Sequence, residues 1–212
     1  RGHLKEVHCL AFSPDGRKLA SADQDGIVNL WNTVPDDRQT YPVIVPGVFT
    51  RPFFSPDDTR LFVVDQGEII VYDVTAFREL ERLTALGTNI NSVALSPDGR
   101  TMAVADKGGE LKIWDVSARR EVTNLLAHAK AISSVGFTPD GRRLITIGSD
   151  RMVKHWQVSD LSLASSWEWE AGLSYYRSSL QSKHHLWATL HDGQVKLWNL
   201  TDGRLVAALP TE

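Results

Sequence analysis

Ser13-Pro14-Asp15-Gly16, Leu19-Ala20-Ser21-Ala22, Asp25-Gly26 and Ile27-Val28-Asn29-Leu30-Trp31 follow one another within nineteen residues. They read as turn, strand, turn, strand. Pro14 presets φ for a tight turn and Gly16 accepts positive φ. Asp25-Gly26 between two apolar runs is a strong hairpin signal. The pattern then recurs. Trp31, Tyr72, Trp114, Trp156 and Trp198 stand 41, 42, 42 and 42 residues apart. Ser55-Pro56-Asp57-Asp58, Ser96-Pro97-Asp98-Gly99 and Thr138-Pro139-Asp140-Gly141 repeat the first turn upstream of the next three aromatics, with a weaker Gln181-Ser182-Lys183 before the fifth. A fixed period of this length is the mark of a repeat architecture.

Working outward, each unit divides into four short strands. Val7, Leu10 and Phe12 lead into the first turn, and Val43-Ile44-Val45 supplies the fourth strand. Later fourth strands read Glu79 to Leu83, Val122 to Leu126 and Leu205 to Leu209. Inner strands are nearly continuously apolar and last strands carry charge, as in sheets packed face to face with the fourth strand on an outer rim. No ten-residue stretch has helical periodicity. The expectation is an all-β chain with a single domain, 1–212, of five units at about 1–42, 43–84, 85–126, 127–168 and 169–212.

Composition narrows the function classes. The 212 residues are 42% hydrophobic and 23% charged, an ordinary globular balance. The net charge of −3 provides no basic field for nucleic acid. No apolar run approaches the roughly 20 residues that span a bilayer, and no signal peptide opens the chain. Cys9 is the one cysteine, which excludes an internal disulfide framework and a cysteine zinc cluster. These features set the expectation of a cytoplasmic protein without nucleic-acid, membrane or cofactor partners. The start at Arg1 rather than Met sets the expectation of a piece of a longer chain.

Gly2-His3, Leu19-Ala20-Ser21, Asp25-Gly26, Trp31 and the pair Trp114-Asp115 together resemble the WD-repeat β-propeller family. Elsewhere the pair departs to Trp31-Asn32, Tyr72-Asp73, Trp156-Gln157 and Trp198-Asn199. The resemblance implies five four-stranded antiparallel blades. It also implies a hydrogen-bonded chain of His3, Ser21, Asp25 and Trp31 in the first blade, and of His128, Thr146, Asp150 and Trp156 in the fourth. The other blades lack the set, with Gln66 and Gly108 at the Asp position and Val63 and Val104 at the Ser position; the fifth keeps Asp192. Propellers of this family most often have seven blades, so an open arc or incomplete ring is expected ahead of a closed five-bladed ring. Open terminal blades then lead to self-association.

Several residues invite functional readings. A Ser-His-Asp trio suggests nucleophilic catalysis, but one that recurs with the Trp at repeat spacing is a packing device. His155 replaces the aliphatic residue of other third strands and is read as a buried neutral side chain. His184 and His185 point to opposite faces of a strand, poor geometry for one metal, and His191 is nearby. Trp167 and Trp169 alternate with Glu168 and Glu170, which places both indoles on one face, packed under a neighbouring rim or exposed as an anchor. The segment Leu173 to Leu180 is polar where a first strand should be apolar, so it slips register or the fifth blade is distorted. Asn199-Leu200-Thr201 matches the glycosylation acceptor pattern by coincidence, and Cys9 reads as a small buried hydrophobe.

The favoured function is a non-catalytic scaffold that binds other proteins or peptides. The alternatives are a propeller-type enzyme or ligand binder using channel-lining polar residues, and a structural fragment that completes a larger ring. Lys5, Gln24, Lys107, Glu110, Lys130 and Arg151 are the candidate partner-binding residues, because they vary beside positions that the repeat dictates. No catalytic, metal or cofactor residue is expected.

Overall fold

The computed structural model describes residues 2–34, 40–44, 51–65, 67–84, 87, 89–169, 174–181, 186–191, 194–199 and 204–210. Among these there is no helix, and the strands form five four-stranded antiparallel sheets. The first sheet holds β1 (Val7–Phe12), β2 (Lys18–Asp23), β3 (Ile27–Asn32) and β4 (Thr40–Ile44). The second holds β5 (Arg51–Phe54), β6 (Arg60–Asp65), β7 (Glu68–Asp73) and β8 (Glu79–Leu83). The third holds β9 (Ile90–Leu95), β10 (Thr101–Asp106), β11 (Glu110–Asp115) and β12 (Arg120–Leu126). The fourth holds β13 (Ile132–Phe137), β14 (Arg143–Gly148), β15 (Met152–Gln157) and β16 (Leu163–Glu168). The fifth holds β17 (Ser174–Gln181), β18 (Leu186–His191), β19 (Gln194–Asn199) and β20 (Leu205–Pro210). Every sheet is a meander with its strands in chain order. Two compact units divide the chain, 1–90 with the first two sheets and 91–212 with the other three.

The Pro-Asp turns fold alike because the same atoms bond in each. Ser13 Oγ donates to Asp15 Oδ1 and accepts the Lys18 amide, while the Gly16 amide returns to the Ser13 carbonyl. Ser55, Ser96 and Thr138 repeat the arrangement with Asp57, Asp98 and Asp140. The left-handed residue is Gly16, Gly99 or Gly141 in three turns and Asp58 in the other. Asp58 is held there by accepting the Asp15 amide from the first sheet.

Packing follows the pleat. In unit one, Ala20, Ala22, Val28 and Leu30 of the first sheet meet Phe54, Leu61, Val63, Ile70 and Tyr72 of the second. In unit two, Ala103, Ala105, Leu111 and Ile113 of the third sheet meet Val135, Phe137, Leu144 and Trp156 of the fourth. Ile145, Ile147 and Val153 then meet Trp198 of the fifth, with Trp167 and Trp169 packed beside them. Each interface sets small and branched residues of one sheet against aromatics and large aliphatics of the next. In the second to fifth sheets a register shift interrupts the third and fourth strands just before the repeat aromatic, at Val71/Tyr72, Ile113/Trp114, His155/Trp156 and Leu197/Trp198. Bulges of this kind twist an outer edge away from further pairing.

Four expectations need correction or completion. The fourth strand of the first sheet is Thr40–Ile44, so it starts ahead of Val43, and Val45 lies outside the described residues. Leu10 and Phe12 are exposed, and β1 turns Cys9 and Ala11 toward the core instead. Cys9 is half-buried there, and its burial pushes the thiol pKa up. β17 carries a register shift between Ser174 and Ser178, so its pairing with β18 is irregular. Leu173, His184, His185, Leu200 and Thr201 lie outside the described residues.

Candidate functional site

The end of the second strand positions the polar chain of the first sheet. His3 Nδ1 donates to Asp23 Oδ2 at 2.7 Å, and Ser21 Oγ donates to His3 Nε2 at 2.6 Å. Trp31 Nε1 donates to Ser21 Oγ at 2.7 Å. A carboxylate can only accept, so it fixes the proton on Nδ1 and leaves Nε2 as the acceptor of the hydroxyl. The carboxylate in this chain is Asp23, not Asp25. Asp25 is exposed, and its backbone amide donates to Asp23 Oδ1 together with that of Ile27. Burial disfavours the Asp23 charge, but the bonds from His3, Ile27 and Asp25 outweigh it and hold the carboxyl below its ordinary range.

In the fourth sheet the acid does come from the hairpin turn. His128 Nδ1 donates to Asp150 Oδ1 at 2.9 Å, Thr146 Oγ1 donates to His128 Nε2 at 2.8 Å, and Trp156 Nε1 donates to Thr146 Oγ1 at 2.9 Å. Gly148 explains the switch. It ends β14 as Asp23 ends β2, and a Cβ there would overlap both His128 Nδ1 and Asp150 Oδ1. Without a side chain at 148, the carboxylate two residues later takes its place. Burial pushes the His128 pKa down, so the ring stays neutral. Asp150 is held low by His128 and the Ala129 and Met152 amides, against the burial that would raise it.

The third sheet keeps only part of the arrangement. Asp106 accepts the Gly108 and Glu110 amides as Asp23 accepts those of Asp25 and Ile27. Val104 occupies the place of Ser21 and Thr146, and the buried Trp114 Nε1 has no hydrogen-bond acceptor. In the second sheet Asp65 stands at the corresponding strand end, and one buried oxygen of its carboxylate has no hydrogen bond. Burial, then Glu68, raises its pKa.

None of this chemistry is open to a substrate. Ser21 and Thr146 are 3% and 0% exposed, and each hydroxyl is engaged by an indole and an imidazole. A nucleophile needs a free path to its target and a base that it can pass a proton to during attack. Here the hydroxyl is a link in a closed chain. Among the described residues no three His, Cys, Asp or Glu side chains converge on a metal position. His155 is buried in β15, between Ile145 and Ser165 of the flanking strands.

The six candidate contact residues are all exposed. Lys5 and Gln24 belong to unit one, where Gln24 Nε2 donates to Glu6. Lys107, Glu110, Lys130 and Arg151 belong to unit two. There the β10–β11 turn docks on the segment before β13, because the Gly109 carbonyl accepts the Ala127 and His128 amides. Gly109 has φ +91°, and a Cβ would overlap the His128 carbonyl oxygen. That close approach brings the turn that carries Lys107 and Glu110 against the segment that carries Lys130. Arg151 is engaged by Glu168 of its own sheet, which sequence spacing did not suggest.

Comparison with known proteins agrees with the sheets and the polar chains. The model of the family "WD domain, G-beta repeat" matches residues 1–32, 80–115 and 119–157, together half of the chain. Apoptotic protease-activating factor 1 of Rattus norvegicus is 31% identical over 117 residues, covering 50% of this chain and 9% of that protein. The Homo sapiens protein of that name is 29% identical over 114 residues, with the same shares. Serine-threonine kinase receptor-associated protein of Bos taurus is 50% identical over 34 residues, 16% of this chain and 10% of that protein. The chain thus spans about a tenth of the length of the curated relatives it matches. With its family model, its meander sheets and its His-Ser/Thr-Trp chains in agreement, the chain belongs to the WD-repeat family.

Proposed function

We propose that this chain is a non-catalytic scaffold that binds proteins or peptides through the exposed hairpin turns and the loops preceding each first strand. Its five sheets act as successive blades of one domain, within a longer protein of the cytoplasm. The carrying observation is the closed polar chain. Residues that would be a catalytic trio on another fold are consumed in holding Trp31 and Trp156 in place. The chain through His128 anchors the segment before β13 that carries Lys130, and the β10–β11 turn with Lys107 and Glu110 docks on that segment. The printed names of the relatives, an activating factor and a receptor-associated protein, describe proteins that act with other proteins.

Mixed charges on a rigid surface tune association rate and partner choice more than raw affinity. The test is charge reversal at Lys107, Lys130 and Arg151 together in the full-length protein, against the same change at Arg17, Arg100 and Arg142 in the Pro-Asp turns. Partner capture is expected to fall with the first set and persist with the second. Capture that survives the first set and fails with the second assigns the binding face to the Pro-Asp turns instead.

A further inference from the structure

Asp-Gly occurs six times in the sequence, and four of the pairs lie within the described residues: Asp15-Gly16, Asp25-Gly26, Asp98-Gly99 and Asp140-Gly141. Their backbones are alike, since all four glycines are left-handed, with φ between +68° and +77°. All four aspartates are exposed. What differs is the carboxylate. Asp15 Oδ1 accepts the Ser13 hydroxyl at 2.7 Å and the Arg17 amide at 2.9 Å. Asp98 accepts from Ser96 and Arg100 in the same way, and Asp140 from Thr138 and Arg142. The amide of Arg17 and the hydroxyl of Ser13 keep Asp15 below its ordinary pKa range, and hydroxyl then amide do so for Asp98 and Asp140.

Asp25 stands apart from the other three. Asp23 has taken the acid's place in the polar chain, and it receives the Asp25 and Ile27 amides. The Asp25 side chain is thereby left without a hydrogen bond or ion pair among the described residues. The Gly26 amide is also held less closely. It donates to the Asp23 carbonyl at 3.1 Å, against 2.8, 2.8 and 2.9 Å for the amides of Gly16, Gly99 and Gly141 in their turns. Glycine has no side chain to hinder its own nitrogen. An untethered carboxyl beside such an amide needs only to turn into a near-attack geometry.

We infer that Asp25-Gly26 is a site of spontaneous aspartate isomerisation, with water as its co-reactant. The Gly26 nitrogen attacks Cγ of the protonated Asp25 carboxyl. The N–Cγ bond forms, and the carboxyl hydroxyl leaves with the amide proton as water, giving a succinimide. Water then adds to the ring. Breaking the N–Cγ bond restores aspartate, whereas breaking the bond from nitrogen to the α-carbonyl leaves isoaspartate, with the chain running through Cγ. Nothing is oxidised or reduced, and the composition is unchanged. The product places an extra backbone methylene between the Asp25 and Ile27 amides, which both donate to Asp23 Oδ1, so it loosens the acid end of the polar chain. The inference is separate from the scaffold reading and stands or falls without it.

The experiment incubates the folded chain at neutral pH in water enriched in oxygen-18, because each passage through the ring leaves one heavy oxygen on the residue. Peptide mapping in ordinary water reads the label at each pair, and electron-transfer fragmentation separates isoaspartate from aspartate. Label at Asp25 is expected to lead that at Asp15, Asp98 and Asp140 by roughly tenfold or more, the factor that a hydrogen bond to a charged group supplies. A parallel incubation in urea removes the difference in carboxylate bonding, so the four labels should converge. Equal labelling of the four pairs in the folded chain overturns the proposal, as does an Asp25 that stays unlabelled. So does the same lead for Asp25 in urea, which would assign it to local sequence rather than to the fold.

Discussion

Thr146 links a buried indole to a buried imidazole, so its hydroxyl is worth more than one hydrogen bond. Thr146→Val keeps the shape and leaves Trp156 Nε1–H and His128 Nε2 without partners. Each unsatisfied buried group costs about 1–3 kcal/mol, and a drop in unfolding free energy of about 2 kcal/mol or more is expected by urea denaturation. Val104→Thr runs the substitution backwards at the matching place in the third sheet, where Trp114 Nε1–H lacks an acceptor. The new hydroxyl is buried but gains that donor, so the change should be close to neutral, within about 1 kcal/mol. A penalty for Val104→Thr as large as that for Thr146→Val would mean that the indole does not reach it. The acid of the chain makes a second residue-scale test. Gly148→Asp imitates Asp23 but collides with Asp150 and His128, whereas Gly148→Asp with Asp150→Ala removes the first collision and leaves only the His128 ring to shift. The double variant should be more stable than Gly148→Asp alone, with a coupling of about 0.5–3 kcal/mol in a double-mutant cycle. His, Ser/Thr and Trp were legible because their spacing repeats. Asp23 was missed because Asp25 and Asp150 both stand six residues before their Trp. The telling signal was the residue ending the second strand, Asp23 in one blade and Gly148 in the other.

At the scale of the element, the Pro-Asp turns convert a repeated tetrapeptide into pH-dependent stability. The backbone amide of Arg17 and the Ser13 hydroxyl hold Asp15 low, while side-chain hydroxyls lead for Asp57, Asp98 and Asp140. A carboxyl whose pKa falls on folding stabilises the fold above its unfolded value, near 3.9. That contribution disappears as pH drops through the lower folded value. Asp65 has the opposite sign. Its pKa is raised, so the folded state prefers it protonated, and the penalty on its charged form is greatest at neutral pH. Denaturation curves at pH 7 should therefore show Asp98→Asn less stable than the parent and Asp65→Asn slightly more stable, by about 0.5 kcal/mol or less. At pH 3 both differences should shrink. If Asp65→Asn is destabilising at pH 7, its carboxylate has a partner that outweighs burial. The turns were readable because Pro, Asp and Gly act locally. The exposure of Leu10 and Phe12 was not, because an apolar strand reads the same whether or not a neighbouring sheet covers it.

At the scale of the whole molecule, repeats draw stability from nearest neighbours more than from distant parts of the chain. The fourth sheet has both faces occupied, since Leu144 packs toward the third sheet while Ile145 and Ile147 pack toward the fifth. The first sheet has one, with Ala20, Ala22 and Cys9 against the second sheet and Leu10 and Phe12 outside. Local opening free energy follows the number of buried apolar contacts that must be broken. Amides of β13 should therefore exchange more slowly than those of β1, even though both are first strands with the same hydrogen-bonding partner in sequence. The measurement is native-state hydrogen exchange. Equal protection of β1 and β13 would show that the first sheet is supported by something other than the face it buries on the second.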